Sequence, residues 1–76
     1  MATDPIPADL IDLQRRFNAA HDAVVTAAAA GEPITALMDT ERDLAVQLHR
    51  RREGTPWAAW DQQMRVRAAA EGDGGE

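Results

Sequence analysis

Cysteine, serine, lysine and tyrosine are all absent from this chain of 76 residues. Without cysteine the chain can form no disulfide and no thiolate metal site, and without serine or cysteine it lacks the commonest catalytic nucleophiles. It also lacks a glycine-rich phosphate loop, and so short a chain has little room for a substrate pocket. The sequence therefore predicts a protein that is not an enzyme and uses no cofactor and no metal.

Long apolar runs are missing as well. No stretch approaches the roughly 20 apolar residues that a membrane-spanning helix requires, and the N-terminus MATDPIPADL lacks the basic and apolar segments of a signal peptide. We therefore expect no membrane association and a cytoplasmic location. All eight basic residues are arginine and alanine is the commonest residue, two biases of GC-rich codons that indicate a high-GC bacterial source.

The 13 acidic residues outnumber the eight arginines, which gives a net charge of −5. This sign argues against general nucleic-acid affinity, because that affinity depends on neutralising phosphates. The charge is uneven: residues 1–41 carry a net −5, residues 42–67 a net +3 and residues 68–76 a net −3. A partner could recognise this polarity, or the two halves of the chain could complement each other.

The stretch AAAAGEPI at residues 27–34 reads as a corner between two helices. Gly31 can take the left-handed conformation that closes a helix, and Pro33 suits the first turn of the next one. Before the corner, apolar residues recur at spacings of three and four, which predicts a helix over about residues 7–30. These residues are Leu10, Leu13, Phe17, Ala20, Val24 and Ala27.

The same spacing after the corner predicts a second helix over about residues 33–52. Its apolar positions are Ile34, Leu37, Met38, Leu44, Ala45 and Leu48, with Glu41 in phase among them. An alternative start at Thr40 is open, because Thr40 and Asp43 fit a loose capping box. We favour one helix, because the apolar residues on both sides of Thr40 keep a single phase.

A threonine and a proline at residues 55–56 are typical of a helix start, with threonine as the N-cap. They predict a third helix over about residues 56–70. Trp57, Trp60 and Met64 follow at spacings of three and four, which places them on one face of that helix. We expect both tryptophans to pack in the core near the start of the first helix, and they are also candidate anchors for a partner.

These patterns predict one all-α domain over residues 7–70. It is an antiparallel hairpin of two long helices with a short third helix across its open end. We expect residues 1–6 to form a lead-in and residues 71–76 a disordered acidic tail.

A domain of this size rarely has enough core to be stable alone, which favours self-association. The apolar surface near the corner, around Val24, Ile34 and Met38, is the predicted contact of a homodimer that forms a helix bundle. The alternative is that the same surface binds a different protein.

His21 and Glu41 lie equally far from Gly31 and share the phase of the two facing stripes. The spacing predicts that they meet, either as a buried polar pair that fixes the register of the two helices or as two side chains that reach solvent at the edge of the interface. The alternatives are an acid/base pair or, across a two-fold dimer, half of a metal site.

His49 is followed by Arg50, Arg51 and Arg52, a basic run at the end of the second helix. Cations there complement the helix dipole. They are also candidates for contact with an acidic protein surface or a phosphate.

The second helix, the turn and the third helix superficially resemble a helix-turn-helix, with Gln62, Arg65 and Val66 expected on the outer face of the last helix. The second helix is too long for that motif. We therefore favour a small non-enzymatic protein-protein interaction or adaptor protein that acts through helix packing. A nucleic-acid-contacting regulator that uses the arginines of the second and third helices is the alternative.

The last three residues, Gly74-Gly75-Glu76, resemble the C-terminus of the prokaryotic ubiquitin-like modifier family. The likeness covers three residues of 76. The rest of the chain departs from that largely disordered family, since it has two tryptophans and well-patterned helices, and the sequence is therefore assigned to no family.

Overall fold

The structure is a computed structural model, and it describes residues 5–72. All regular elements in that range are helical: α1 (Ala8–Ala29), α2 (Thr35–Arg52), a 3₁₀ turn (Pro56–Ala58) and α3 (Trp60–Gly72). The predicted all-α class is confirmed. None of these helices combines the length and the apolar character that crossing a bilayer requires. The predictions for residues 1–4 and 73–76, including most of the lead-in and the tail, lie outside the described residues.

Gly31 ends α1 as the sequence predicts, whereas Pro33 lies before the N-cap Ile34 and not in the first turn of α2. Gly31 has φ of +74°, its N–H donates to the Ala28 carbonyl at 3.1 Å, and the N–H of Glu32 donates to the Ala27 carbonyl at 2.9 Å. These two bonds make a Schellman motif, which ends α1 and satisfies its last carbonyls. α2 begins at Thr35, two residues later than predicted, and continues through Thr40 without a break.

Two side-chain contacts show which parts of α1 and α2 meet. His21 contacts Glu41, and Asp9 contacts Arg51, so residues farther before the corner meet residues farther after it. The inward positions of α2 recur at spacings of three and four: Ile34, Leu37, Glu41, Leu44 and Leu48. Met38 and Ala45, which the sequence reading placed on this stripe, are exposed because they lie on its shoulder.

The register of α3 differs from the prediction. Ala59 has ψ of 143°, so the 3₁₀ turn and α3 are two elements and not one continuous helix. The break rotates every later position relative to Trp57. As a result Trp60 and Met64, which we expected in the core, are exposed, whereas Val66, which we expected outside, is fully buried.

The core lies at the end of the molecule away from Gly31. Leu10, Leu48, Trp57 and Val66 form it, and one of them comes from each of the four elements. Three partly buried residues pack against this cluster: Ile6, Leu13 and Phe17. α3 packs on α1, and the 3₁₀ turn packs on α2 and α3. Among the described residues near the corner, Ala27 is the only buried one.

Candidate functional site

The outer face of α3 carries an exposed apolar pair. Trp60 is 70% exposed and Met64, one turn later, is 42% exposed. Residues four apart are neighbours on a helix surface, so the two side chains form one patch. Removing indole and thioether groups from water costs little and buries much apolar surface. Trp60 is therefore the stronger of the two tryptophan candidates for partner contact.

Trp57 has a structural position. The Oγ1 atom of Thr55 accepts the Trp57 N–H at 3.2 Å and so caps the 3₁₀ turn, with Pro56 in its first position. The Trp57 ring is buried in the core, and the Cζ atom of Arg65 lies 5.4 Å from its centroid, within the range of a cation–π contact. The structure thus has Trp57 in the core, where its own chain covers the ring, and this position favours a structural role over that of a partner anchor.

The arginine run at the end of α2 divides into three different environments, of which Arg50 is the exposed one. Arg51 forms a two-bond fork with Asp9: Nε donates to Oδ2 at 2.5 Å and Nη2 donates to Oδ1 at 3.2 Å. The hydrogen bond from Arg51 lowers the pKa of the Asp9 carboxyl and raises the pKa of the guanidinium. Because solvent reaches this pair, it orients the end of α2 on the start of α1 more than it stabilises the fold.

Arg52 lies at the centre of a polar network that joins three elements. Its Nη2 donates to Oε1 of Gln14 at 2.8 Å, and its Nη1 donates to Oε1 of Gln63 at 3.1 Å. Gln14 is buried on α1 and passes a hydrogen bond on to Asn18, while Gln63 donates to the Ala58 carbonyl. These bonds satisfy the buried amides and fix the positions of α2 and α3 on α1.

His21 and Glu41 meet across the α1–α2 interface, with Nδ1 of His21 2.6 Å from Oε2 of Glu41. This is the contact that their spacing predicts. Of the two predicted arrangements, the structure has the pair at the edge of the interface, because His21 is exposed and Glu41 only partly covered. The ring of Phe17 stacks on His21 with centroids 6.3 Å apart, which holds the imidazole in place. No group of three or more metal-ligating side chains is found in residues 5–72.

A cavity of about 120 Å³ opens beside the Arg52 network. Gln14 and Phe17 of α1 line it. Its other lining residues include Leu48, His49 and Arg52 of α2 and Arg67 of α3. The lining thus combines apolar side chains with two positive charges.

Sequence reasoning missed three of the residues that shape this end of the molecule. The Asp9–Arg51 pair was visible in principle, since the two lie 22 and 20 residues from Gly31, in the same way as His21 and Glu41. Gln14 lies four residues after Leu10 and three before Phe17, in phase with the apolar stripe of α1, but glutamine is mostly exposed in proteins, and its burial was therefore not predicted. Arg67 could be placed beside α2 only once the register of α3 was known.

Comparison of the chain with protein-family models, with curated proteins and with solved structures found no match.

Proposed function

We propose that the protein is a small non-enzymatic interaction protein, a helical hairpin closed at its open end by α3, and that it binds a second copy of itself through the outer face of α3. The observation that carries this proposal is the 70% exposure of Trp60 beside Met64. A tryptophan is the residue most enriched at the centres of protein interfaces. Here the break at Ala59 holds its side chain outward on a formed helix.

A second copy is the preferred partner because of what the single chain lacks. Only six apolar residues in the described range are buried: Leu10, Ala27, Leu48, Trp57, Val66 and Ala70. A core of this size rarely stabilises a domain by more than roughly 3–5 kcal/mol. In a symmetric dimer, one interface would bury Trp60 and Met64 of both copies. A two-fold pairing would therefore add stability to both chains at once.

The nucleic-acid alternative is less well supported. Arg51 is paired with Asp9, and Arg52 lies partly buried against Gln14 and Gln63, so neither extends from Arg50 an exposed row of cations that a duplex backbone could contact. Arg50 by itself makes no phosphate-binding stripe. A cytoplasmic location remains a prediction from the sequence.

Light scattering from about 1 µM to 1 mM tests the proposal, since dimers of interest dissociate in that range. We expect the mass to rise from 8.3 kDa towards twice that value. Met64→Ala should shift the transition to higher concentration. Met38→Ala is the matched control, because Met38 near the corner is also 42% exposed but lies on another face.

Three results would count against the proposal. A mass of 8.3 kDa at every concentration would exclude the dimer and favour a different protein as partner. A loss of dimer in Met38→Ala but not in Met64→Ala would move the contact to the corner. Equal losses in both variants would show that the association is not specific to α3.

A further inference from the structure

Arg52 lines the cavity between α1, α2 and α3 and retains unused hydrogen-bonding capacity. A guanidinium has five N–H donors, and two of them are used, both on the neutral amide oxygens of Gln14 and Gln63. The Nε–H is buried and has no acceptor within residues 5–72. Buried donors are nearly always satisfied in proteins, so an unsatisfied one in a polar network requires an explanation.

The charge of Arg52 is also uncompensated. Its acceptors are amides, and no carboxylate in the described part of the chain forms an ion pair with it or with Arg67. Burial and, second, the charge of Arg67 lower the pKa of Arg52. The fold therefore keeps two cations beside one cavity at a cost, whereas Arg51, one residue earlier, is matched with Asp9.

We propose that this cavity is a binding site for a small oxyanion, a carboxylate or phosphate group held between Arg52 and Arg67. Guanidinium groups match the oxygen pairs of such anions. The volume of about 120 Å³ is several times the roughly 30 Å³ that one water molecule takes up in the liquid, so an anion with a few attached atoms fits. Phe17 and Leu48 supply an apolar surface for those attached atoms.

This inference goes beyond the proposed self-association. The cavity lies between the helices, and its apolar wall comes from α1 and α2, whereas Trp60 and Met64 lie on α3. A chain that stays monomeric could still bind an anion, and a dimer could form without one.

Isothermal titration of the whole chain with inorganic phosphate, and separately with acetate and glutarate, tests the site. Sodium chloride at matched ionic strength is the background, because it screens charge without offering an oxygen pair. We expect saturable one-to-one binding with a Kd of about 1 mM or tighter, a range that suits an anion of few atoms. The tighter of the phosphate and carboxylate arms identifies the ligand class, and either one supports the site.

Arg67→Gln is the informative variant, because Arg67 is exposed and holds no hydrogen bond that the fold depends on. We expect it to weaken binding tenfold or more. Arg50→Gln removes the same charge from an exposed position outside the cavity lining, and we expect it to change the Kd less than twofold. Circular dichroism of both variants checks that the helices remain.

The proposal is overturned if no anion gives saturation up to about 10 mM, well above the expected Kd. It is also overturned if Arg67→Gln and Arg50→Gln weaken binding equally, since the attraction would then come from overall charge. A chemical-shift titration gives an independent check. The proposal is overturned if the perturbations spread over all arginines instead of clustering at Arg52 and Arg67.

Discussion

At the scale of single residues, Val66 and Val46 are the same side chain in opposite environments. Val66 is 0% exposed and Val46 is 41% exposed. Val66→Ala removes two methyl groups from the closed core and should lower the free energy of unfolding by about 2 kcal/mol, from lost burial plus the cavity left behind. Val46→Ala should change it by less than about 0.5 kcal/mol. Urea unfolding of both variants measures the difference.

Equal effects of the two substitutions would contradict the register of α3. A lower free energy of unfolding in Val46→Ala but not in Val66→Ala would indicate that the outer face of α2 lies in an interface. An exposed valine contributes to stability only if another surface covers it.

The Asp9–Arg51 fork predicts a specific dependence on pH. The Asp9 pKa is lowered in the folded chain by the hydrogen bond from Arg51, so the pair stabilises the fold above the unfolded-chain value of about 3.9 and loses that contribution as the pH falls through the folded-state pKa. Arg51→Gln should raise the Asp9 pKa towards its usual value and flatten this part of the stability curve. An NMR titration of the Asp9 carboxyl carbon measures the shift.

Arg50→Gln is the control for that titration, because it removes the neighbouring charge without touching the fork. If it shifted the Asp9 pKa as much as Arg51→Gln does, the effect would be general charge and not the contact.

At the scale of elements, the turn into the 3₁₀ segment depends on one hydroxyl. The Oγ1 atom of Thr55 accepts the Trp57 N–H and donates to the Arg52 carbonyl. Thr55→Ala should therefore lower the free energy of unfolding by about 1 kcal/mol, the usual effect of losing a cap. Thr40→Ala is the matched control, since Thr40 donates to the Ala36 carbonyl in the middle of α2. There alanine is the better helix former, and the change should be neutral or slightly stabilising.

Thermal unfolding of the two threonine variants distinguishes these effects. A Thr55→Ala protein as stable as the parent would mean that Pro56 alone sets the start of the 3₁₀ turn.

The accuracy of the sequence reading differs between the elements for a physical reason. α1 and α2 are long and uninterrupted, so the sequence predicts their ends to within two residues and most of their inward positions, with Met38 and Ala45 as the exceptions. Gly31 fixes the distance at which His21 meets Glu41. The third segment is short, and its period was counted through Ala59. Nothing local in an alanine predicts an extended conformation; the break follows from packing Trp57 and Val66 into the same core.

The candidate site could be predicted from the sequence less well than the fold. The cavity depends on Gln14, Arg52 and Arg67, which lie far apart in the sequence and belong to three different helices. Their approach follows from the register of α3, which the pattern did not determine. The phase of a polar residue such as Gln14 shows which side of its helix it lies on but not which residue it meets.

At the scale of the whole molecule, the chain is extended for its length. Its radius of gyration is 13.9 Å, against about 11 Å expected for a compact domain of this size. Its shortest dimension is 18 Å, about the thickness of two helix layers. Such a shape exposes much surface for each buried residue, which is the condition under which self-association stabilises a small protein most.

The shape leads to a prediction about unfolding. If the second copy supplies part of the stability, the midpoint of thermal unfolding should rise with protein concentration between about 5 and 500 µM, because binding to the folded state adds stability by mass action. The rise should be smaller in Met64→Ala. Differential scanning calorimetry at several concentrations measures it, and a constant midpoint would indicate a monomer that unfolds alone.

The pairing of Leu10 with Val66 in one core sets the order of events during synthesis. The two residues are 56 positions apart in the sequence, and α1 emerges from the ribosome well before α3 exists. At roughly 5–20 residues per second, about 3 to 11 seconds pass between the two. Until Val66 has been added, the core around Leu10 and Leu48 lacks one of its four side chains. The core can therefore close only after α3 has been synthesised, and α1 must wait for it with an unfinished apolar face.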